Sequence, residues 1–476
     1  MTLKDLIINL SLIKIIGDTE KEIKGLALDS RNVLPGFIFF AIRGTNIDGH
    51  EFIDTAIKNG ATVIFCEDFP VNIQNNITYI KFSRVSDVVG FVSSHFYKDP
   101  SEKLLVVGVT GTNGKTTVAT MLHELFTSLG YKSGLLSTVE NKIGDDIFSA
   151  THTTGDAIQV QNNLAKMLNA GCKYVFMEVS SHAIDQGRIL GINFASGIFT
   201  NLTQDHLDYH EDMNSYAKVK KAFFDGLSAD SLVVYNADDS YGEFMVSGTN
   251  ARKISYGEKA KDFKLEIKDS KADGLNILIN GLKIQSPLVG KFNAYNIYAV
   301  FATSVSLGIS SSVVVEKIEN LYGARGRMEK VIGKNGIVGI VDYAHTPDAL
   351  QNVLETINGF KSAKIITVFG AGGDRDKTKR PLMGNIAENL SDIVIVTSDN
   401  PRSEEPLSIV NDILAGVHNK EKIKVVLDRL EAIKTAVSMA NNRDIILVAG
   451  KGHEDYQDIK GFKSHFDDKE VLSNFL

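Results

Sequence analysis

A glycine-rich turn between an apolar strand and a helix is the part of this sequence best suited to chemistry. The turn lies in the run Thr110-Gly-Thr-Asn-Gly-Lys-Thr-Thr117, which follows the apolar segment Leu104-Leu-Val-Val-Gly-Val109. Such a turn directs consecutive backbone N–H groups and the positive end of a helix at bound phosphate. Lys115 would reach the outer phosphates, and Thr116 would offer its hydroxyl to Mg²⁺. The run therefore predicts a nucleotide-binding loop.

The loop departs from the strict phosphate-loop pattern at one position. Val109 stands where that pattern has its first glycine. A plain glycine-rich turn is the alternative interpretation. It does not explain why a lysine stands at the start of a helix, so we interpret the run as a nucleotide site.

A carboxylate at the end of an apolar strand is the second candidate for chemistry. The strand is Tyr174-Val-Phe-Met-Glu178, and a polar Ser-Ser-His segment follows it closely. A glutamate in this position can hold Mg²⁺ opposite Thr116, as the second acidic strand does in phosphate-loop enzymes. The alternative is a solvated glutamate at a strand end.

A lysine on an apolar helix face is the third candidate. With ~100° of rotation per residue, the predicted helix 213–227 places four apolar side chains on one arc: Tyr216, Val219, Phe223 and Leu227. Lys220 falls inside this arc, whereas Lys218 and Lys221 point away from it. A buried lysine costs free energy unless it is paired or modified, so Lys220 marks a possible functional position. The alternative is a lysine whose stem follows the edge of the core.

The elements that must position these residues divide into three predicted domains. A chain of 476 residues exceeds one ordinary hydrophobic core. We expect domains at residues 1–99, 100–328 and 329–476. The first boundary rests on Asp99-Pro100, because the residue before proline avoids the helical region.

The alternation of strands and helices predicts an α/β fold. In the central domain we expect strands at 104–109, 174–179, 195–200 and 231–235 and helices at 116–129, 157–169 and 213–227, which implies a mostly parallel sheet. Asn280-Gly281 predicts a tight hairpin, so a few antiparallel strands join this sheet. The first domain is a small α/β unit with a helix at 50–59. The third repeats strands at 337–341, 364–369, 392–397 and 444–449.

Composition excludes several classes of function. The net charge of -7 gives no long-range attraction for nucleic acid, so we expect phosphate ligands to be held locally. Apolar runs stay short of the ~18 residues that span a bilayer, and no export signal opens the chain, so we expect a cytoplasmic protein without membrane contact. The two cysteines lack zinc-site or disulfide spacing.

Six motifs in order resemble those of the Mur ligase family of peptidoglycan synthesis. They are Thr110-Gly-Thr-Asn-Gly-Lys-Thr-Thr117, Glu178-Val-Ser-Ser-His182, Asp205-His-Leu-Asp-Tyr-His210, Gly326-Arg-Met-Glu329, Asp342-Tyr-Ala-His-Thr-Pro347 and Asp399-Asn-Pro-Arg402. The resemblance extends from Asp29-Ser-Arg31 to Gly450-Lys-Gly-His-Glu454. It implies an N-terminal domain that binds a uridine nucleotide, a central ATPase domain with the phosphate loop, and a C-terminal Rossmann-like domain that binds an amino acid.

The resemblance also implies a reaction. In the branch of the family closest to this sequence, ATP converts the D-glutamate carboxylate of UDP-N-acetylmuramoyl-L-alanyl-D-glutamate into an acyl phosphate. The amine of meso-diaminopimelate then attacks that intermediate. Two Mg²⁺ ions are implied, with Thr116, Glu178, His206 and an N6-carboxylated Lys220 as their ligands and Lys115 as a further catalytic residue. We expect a monomer.

Binding residues follow from the same resemblance, motif by motif. The residues implied near ATP are Gly111, Thr112, Asn113, Gly114, Lys115, Thr116, Thr117, Asn293, Asn296, Arg327 and Asp342. The UDP substrate is implied to contact Leu28, Ser30, Thr45, Asn46, Thr153, Thr154, Ser180, Gln186 and Arg188. The incoming amino acid is implied to contact Arg375, Asp399, Asn400, Pro401, Arg402, Gly450 and Glu454.

Other functions compete with this interpretation. Sister ligases that add L-lysine or D-Ala-D-Ala, and folylpolyglutamate synthetase, share the central motifs. The Asp399–Arg402 loop and the Asp29-Ser-Arg31 segment favour the diaminopimelate-adding branch. A phosphate-loop switch is the alternative from another class. Against it, Asn141-Lys142-Ile-Gly144 lacks the final aspartate of a guanine-reading motif, and a switch needs no third domain.

Overall fold

The computed structural model describes residues 1–44, 47–148, 153–205, 207–271, 274–333 and 336–476, with the backbone alone for residues 207 and 208. Within these ranges the chain forms three main sheets, each flanked by helices. No helix in the described ranges is both long and apolar enough to cross a lipid bilayer.

The N-terminal sheet has five described strands in the order β1-β5-β4-β3-β2, parallel except for β1 against β5. The strands are β1 (Lys14–Ile16), β2 (Gly25–Ala27), β3 (Phe37–Phe40), β4 (Ala61–Cys66) and β5 (Thr78–Lys81), and the helices are α1 (Leu3–Leu6), α2 (Ile53–Lys58) and α3 (Ser86–Phe96). Ile38 and Phe40 join one core cluster while Phe39 joins another. Both faces of the sheet are therefore covered, as expected for parallel strands. The helix predicted at 50–59 is a 3-10 turn, Gly49–Phe52, followed by α2.

The central sheet carries the phosphate loop. Its described strands are β6 (Leu105–Thr110), β7 (Ser133–Leu136), β8 (Asn141–Ile143), β9 (Asp146–Phe148), β10 (Tyr174–Glu178), β11 (Phe194–Phe199), β12 (Leu232–Asn236), β13 (Arg252–Gly257), β14 (Phe263–Lys271), β15 (Gly274–Ile279) and β16 (Leu282–Ser286). Their order is β16-β15-β14-β13-β12-β11-β6-β10-β7-β8-β9. The seven neighbouring strands β14, β13, β12, β11, β6, β10 and β7 are parallel, and the antiparallel pairs lie at both edges of the sheet.

Helices on both faces of the central sheet follow the predicted pattern. They are α4 (Lys115–Ser128), α5 (Ala157–Asn169), α6 (Ser181–Asp185), α7 (Leu207–His210), α8 (Met213–Asp225), α9 (Gly242–Val246), α10 (Lys291–Ser306) and α11 (Ser311–Ile318). The apolar stripe of α4 is fully buried at Val118, Met121 and Leu125. The predicted Asn-Gly hairpin is confirmed, because Asn280 (φ +47°) and Gly281 (φ +87°) both take the left-handed conformation between β15 and β16.

The C-terminal sheet has the described order β17-β18-β22-β19-β20-β21, and only β17 in this set runs antiparallel to its neighbour. Its strands are β17 (Glu329–Ile332), β18 (Val338–Asp342), β19 (Ile365–Phe369), β20 (Ile393–Val396), β21 (Ile423–Val425) and β22 (Ile445–Ala449), with the hairpin β23 (Tyr456–Ile459) and β24 (Phe462–His465). The helices are α12 (Pro347–Phe360), α13 (Lys379–Leu390), α14 (Pro406–Leu414), α15 (Arg429–Met439) and α16 (Asp468–Phe475). The carboxyl ends of β18, β22, β19 and β20 lie side by side, where ligands of such sheets bind.

Candidate active site

A cavity of about 1060 Å³ joins the central and C-terminal sheets. Predicted site residues from both regions line it: Thr112, Asn113, Gly114, Lys115, Thr116, Thr117, Thr153, Glu178, Ser180, Lys220, Asn296, Arg327, Asp342 and Arg375. The cavity therefore brings the phosphate loop, both candidate metal-binding oxygens and cationic side chains of the third region to one space.

The phosphate loop joins β6 directly to α4. Gly114 has a φ of +87°, and a Cβ at this position would lie 2.5 Å from Asn296 Oδ1. Only glycine fits this backbone and this spacing. Lys115 Nζ donates to the Gly111 and Thr112 carbonyls at 2.9 and 2.7 Å, and burial lowers its pKa. The side chain of Lys115 is thus held in position by the carbonyl groups of the phosphate loop itself.

A polar segment after β11 forms hydrogen bonds with the phosphate loop and holds it in place. The sequence analysis did not predict this segment. Thr112 N donates to the Asn201 carbonyl at 2.8 Å, and Asn113 N donates to Asn201 Oδ1 at 2.9 Å. Thr203 N donates to Thr112 Oγ1 at 3.0 Å. The available signal was the polar run Thr200-Asn-Leu-Thr203 after an apolar strand, because β11 is the neighbour of β6.

Glu178 lies at the end of β10, beside the phosphate loop. Only 1% of the residue is exposed, so the solvated alternative is not the observed arrangement. Its Oε1 accepts from Thr138 N at 2.7 Å, and its carbonyl accepts from Thr154 Oγ1 at 2.8 Å. The carboxylate and the Thr116 hydroxyl line the same cavity and form a pair of oxygen donors of the kind that Mg²⁺ prefers.

Lys220 on α8 is buried, with 1% of the residue exposed. Its Nζ donates to the Gly111 carbonyl at 3.0 Å and lies 4.8 Å from the centre of the Tyr216 ring. Burial, and then the nearby charge of Lys115, lower the pKa of Lys220 well below its ordinary value. Lys218 is exposed as predicted, whereas Lys221 is 16% exposed and pairs with Asp225.

Arg327 and Asp342 close the cavity on the side of the C-terminal sheet. The Arg327 guanidinium lies 4.7 Å from the centre of the Tyr343 ring. Asp342 ends β18 and accepts from Met328 N at 2.7 Å; burial raises the pKa of its carboxyl, and Arg327 opposes that rise. Asn293 lies behind the lining and supports Asn296, whose Nδ2 donates to Asn293 Oδ1 at 3.0 Å.

Thr154, Gln186 and Arg188 form a separate polar cluster near α6. Arg188 donates to Gln186 Oε1 and, through Nη1, to the Thr154 carbonyl at 3.1 Å. Ser180 caps α6 and its N–H donates to Thr154 Oγ1 at 3.2 Å. Leu28 and Ser30 lie in the N-terminal region and outside the cavity lining. Thr45, Asn46 and His206 are outside the described residues.

A second polar network lies beyond the ends of β20 and β22. Asn400 Nδ2 donates to Glu454 Oε2 at 2.7 Å, and the fully buried Lys451 contacts both residues through Nζ at 3.1 and 3.3 Å. Burial raises the pKa of Glu454, and Asp399 adds to that rise. The sequence analysis did not single out Lys451, although the residue stands inside the quoted motif Gly450–Glu454.

The hairpin β23–β24 completes this network from a later part of the chain. Arg402 N donates to the Asp458 carbonyl at 3.1 Å, and Lys460 N donates to the Arg402 carbonyl at 2.8 Å. Gln457 Nε2 donates to the Asp399 carbonyl at 2.8 Å. A parallel β-bridge between Arg402 and Ile459 therefore joins the Asp399–Arg402 loop to the hairpin and fixes the backbone of Arg402.

Arg429 and Asp468 form an ion pair next to the carboxyl ends of β20 and β22. Both side chains are fully buried, and Arg429 Nη2 lies 2.7 Å from Asp468 Oδ2. The guanidinium also donates to the carbonyls of Ser398 and Ala449, which directly precede Asp399 and Gly450.

Among the side chains that the structure describes, no group of three or more His, Cys, Asp or Glu residues could hold a metal ion. Three of the four predicted metal ligands, Thr116, Glu178 and Lys220, line the cavity.

Comparison with known proteins assigns the chain to a family. Three family descriptions match along its length: "Mur ligase family, catalytic domain" at residues 22–99, "Mur ligase middle domain" at 109–304, and "Mur ligase, glutamate ligase domain" at 326–452. A relative from Cytophaga hutchinsonii is 50% identical over 100% of this chain and 99% of its own. The chain belongs to the Mur ligase family.

The relative from Cytophaga hutchinsonii is named UDP-N-acetylmuramoyl-L-alanyl-D-glutamate--2,6-diaminopimelate ligase, and one of the same name from Phocaeicola vulgatus is 48% identical over 100% of this chain and 99% of its own. A solved structure of a ligase with that name is 31% identical, with a TM-score of 0.72 over 100% of this chain and 98% of that one. As a Mur ligase, the chain is an enzyme. The family resemblance of the six motifs and the α/β fold predicted from the alternation of strands and helices are confirmed.

Proposed function

We propose that this enzyme adds meso-diaminopimelate to the D-glutamate of UDP-N-acetylmuramoyl-L-alanyl-D-glutamate, with ATP as the source of the activating phosphoryl group. The observation that carries the proposal is the single cavity that joins the phosphate loop, Glu178 and Lys220 to Arg375 of the C-terminal region. The names of relatives with about half of their residues identical support the choice of substrates.

The chemistry begins with a charge problem. A carboxylate must attack the γ-phosphorus of ATP, although both partners are anionic. Lys115 and the N–H groups at the start of α4 face the phosphates and reduce this repulsion. Transfer forms an acyl phosphate and releases ADP. The amine then attacks the acyl carbon, loses its proton and expels phosphate, which leaves an amide.

The site fits Mg²⁺ at one position on described residues alone. Thr116 and Glu178 supply the oxygen donors there. When bound, Mg²⁺ would neutralise charge on the phosphate oxygens. A second ion would need a carboxylated Lys220 and His206. A second role for Glu178 is structural, because it holds the Thr138 amide at the cavity wall.

Lys220 is suited to become a carbamate. Burial favours its neutral amine, whose lone pair can attack carbon dioxide; a nitrogen–carbon bond forms and the nitrogen loses a proton to solvent. The product carries a negative charge where the neutral amine carried none. That charge would attract the ammonium group of Lys115.

The loop Asp399–Arg402 is the proposed site for the far carboxylate of meso-diaminopimelate. L-Lysine lacks this group, so a fixed cation would discriminate between the two. Arginine suits the role because its planar fork binds a carboxylate through two hydrogen bonds. Arg375 lines the cavity together with the phosphate loop, and we assign it a contact with the reacting end of the amino acid or with the intermediate.

Phosphate release measured with and without each co-substrate tests the proposal. We expect release to require both the UDP-muramoyl dipeptide and the diamino acid and to match peptide formation mole for mole. Equal release without the UDP substrate would contradict ligation and favour a nucleotide switch. A panel with L-lysine in place of meso-diaminopimelate tests the alternative of a lysine-adding enzyme.

The remaining assignments follow from the same proposal. Residues 1–99 would bind the uridine nucleotide, 100–328 would bind ATP, and 329–476 would bind the amino acid. Leu28, Ser30, Thr153, Thr154, Ser180, Gln186 and Arg188 would contact the UDP substrate. A cytoplasmic location and a monomeric state remain predictions from the sequence.

A further inference from the structure

Two neighbouring loops carry the arginines of the proposed amino-acid site. Residues 372–375 follow β19 and include Arg375, and residues 399–404 follow β20 and include Arg402. Gly373 N donates to the Asn400 carbonyl at 2.9 Å, so the loops lie side by side. Arg402 Nη1 donates to the Gly373 carbonyl at 2.6 Å. The first loop therefore holds the guanidinium that the second loop presents.

The backbone of Arg402 needs such support. Its φ of +50° lies in the left-handed region, where a side chain of this size is rare. Residues in such conformations persist only where the surroundings hold them, and they cluster at ligand sites. Ser403 helps to hold the Arg402 backbone, because its Oγ donates to Asp374 Oδ1 of the neighbouring loop at 2.5 Å.

A buried ion pair joins the two loops from behind. Arg380, at the start of α13, is fully buried and donates to the Gly372 carbonyl at 3.1 Å. It also donates to both carboxylate oxygens of Glu404, at 2.8 and 3.0 Å. Glu404 Oε1 in turn accepts from Asp374 N at 2.7 Å. One guanidinium and one carboxylate thus contact both loops at once.

The ion pair is charged at every working pH. The hydrogen bond with Arg380 lowers the pKa of Glu404 to about 2. Arg380 cannot touch a substrate, because none of its side chain is exposed. Its effect on the site must pass through the loops that it holds.

We propose that the Arg380–Glu404 ion pair is a positioning device that sets the separation of Arg375 and Arg402, and so selects for a diamino acid with a carboxylate at its far end. The inference rests on the proposed function and assigns a part in specificity to two residues outside the segment Asp399–Arg402. A bidentate contact with a carboxylate requires donors placed to within a fraction of an ångström.

The chain supplies a matched control on the same guanidinium. Asp412 on α14 accepts from Arg380 Nη1 at 2.8 Å, and its side chain is 38% exposed. Asp412→Asn removes one charged partner of Arg380 without touching either loop. Glu404→Gln removes the other partner and places an amide N–H against the guanidinium.

The experiment compares these two variants with the wild type in steady-state kinetics and thermal unfolding. We expect Glu404→Gln to raise the KM for meso-diaminopimelate about tenfold to a hundredfold, the cost of a displaced binding group. The KM for ATP should stay unchanged, and the preference for meso-diaminopimelate over L-lysine should fall. Asp412→Asn should keep all three at wild-type values. Arg380→Lys, which keeps the charge and loses the fork, should behave as Glu404→Gln does.

Two results would overturn the positioning role. One is equal KM changes in Glu404→Gln and Asp412→Asn; the other is a Glu404→Gln variant with a lower Tm and an unchanged KM for the diamino acid. Failure of the proposed function itself looks different, because the wild type would then not use meso-diaminopimelate at all.

Discussion

Lys220 is a charged residue type at a position that the helix pattern predicts to be buried, and this mismatch marks it as a candidate functional residue. An apolar helix face predicted burial of a lysine, and the structure buries it against the phosphate loop. Burial favours a neutral amine, which is also the form that reacts with carbon dioxide. The periodicity therefore identified the buried position, and the low polarity of its surroundings is consistent with the carbamate proposed for it.

Replacing Lys220 by alanine should abolish most activity, because the proposed carbamate would be lost. A short-chain carboxylate such as acetate or propionate should restore part of the rate by entering the vacated space. The measurement is ATP-dependent peptide formation across a series of added carboxylates. Lys221→Ala, one residue along on the same helix, is the control and should keep its activity. Unmodified density at Lys220 in a crystal structure of the active, nucleotide-bound enzyme would contradict the role.

Arg402 is the residue on which the substrate assignment depends. Arg402→Ala should weaken the use of meso-diaminopimelate by about 2 to 5 kcal/mol, the usual cost of removing one partner of a buried charge pair. The KM values for ATP and the UDP substrate should change little, since Arg402 lies beyond the ends of the C-terminal strands. Steady-state kinetics with each substrate varied in turn measures this. A wild-type enzyme that uses L-lysine equally well would refute the assignment.

At the scale of elements, the strand–loop–helix unit of β6 and α4 depends on a backbone that only glycine adopts without strain. Gly114 combines a left-handed φ with close contact to Asn296. Gly130, at the other end of α4, has a similar φ of +84° but meets no atom within 4 Å at its Cβ position. An alanine at either position would strain the backbone, but only an alanine at Gly114 would also crowd a neighbouring side chain.

Gly114→Ala should raise the KM for ATP by tenfold or more, because strain of about 1 to 2 kcal/mol adds to displacement of Asn296. Gly130→Ala introduces comparable backbone strain and should therefore lower the Tm. It should leave the KM for ATP unchanged. Nucleotide binding by calorimetry, paired with thermal unfolding, distinguishes the two effects. Similar ATP affinity in both variants would show that crowding at Asn296 is unimportant.

The Arg380–Glu404 ion pair makes a prediction about acid stability. The pKa of Glu404 falls from an ordinary 4.5 to about 2 in the folded protein, so its contribution is complete above pH 4.5 and is lost as pH falls towards 2. The Tm difference between wild type and Glu404→Gln should therefore be constant near neutrality and shrink between pH 5 and 3. A difference that stayed constant to pH 3 would contradict the lowered pKa.

Across the whole molecule, the third region reaches the phosphate loop directly. Asp348, in the first turn of α12, accepts from Asn113 Nδ2 at 3.3 Å and from Thr203 Oγ1 at 3.1 Å. Both donors belong to the central region. The C-terminal region, which is the proposed amino-acid side, thus contacts the phosphate loop, and the cavity takes its lining from both regions.

Asp348→Ala should lower kcat by about fivefold to tenfold, since each net hydrogen bond contributes roughly 1 kcal/mol. The reason is that the contact favours the arrangement in which both regions meet. Asp348→Asn retains an acceptor oxygen and should keep more of the rate. Kinetics at saturating ATP and UDP substrate measures the difference. An alanine variant with wild-type kcat would show that the contact plays no part in turnover.

Sequence patterns predicted some parts of this molecule well because their causes are local. The phosphate loop, the stripe on α4 and the turn at Asn280-Gly281 depend on neighbours within a few residues, and all were found close to their observed positions. The Thr200–Thr203 support and the Arg380–Glu404 ion pair escaped prediction because they join distant segments. Long-range contacts of this kind leave no periodic signal in one sequence.

The late position of the hairpin β23–β24 in the chain has a consequence for the order in which the enzyme becomes competent. A ribosome makes the phosphate loop early, and central strands can pair before the last segment emerges. The backbone of Arg402 cannot form its hydrogen bond with Asp458, and Arg429 cannot pair with Asp468, until those later residues have been synthesised. A nascent or prematurely terminated chain would therefore hold nucleotide without a finished amino-acid site. With the proposed function, selectivity for the third residue would be the last property that the growing chain acquires.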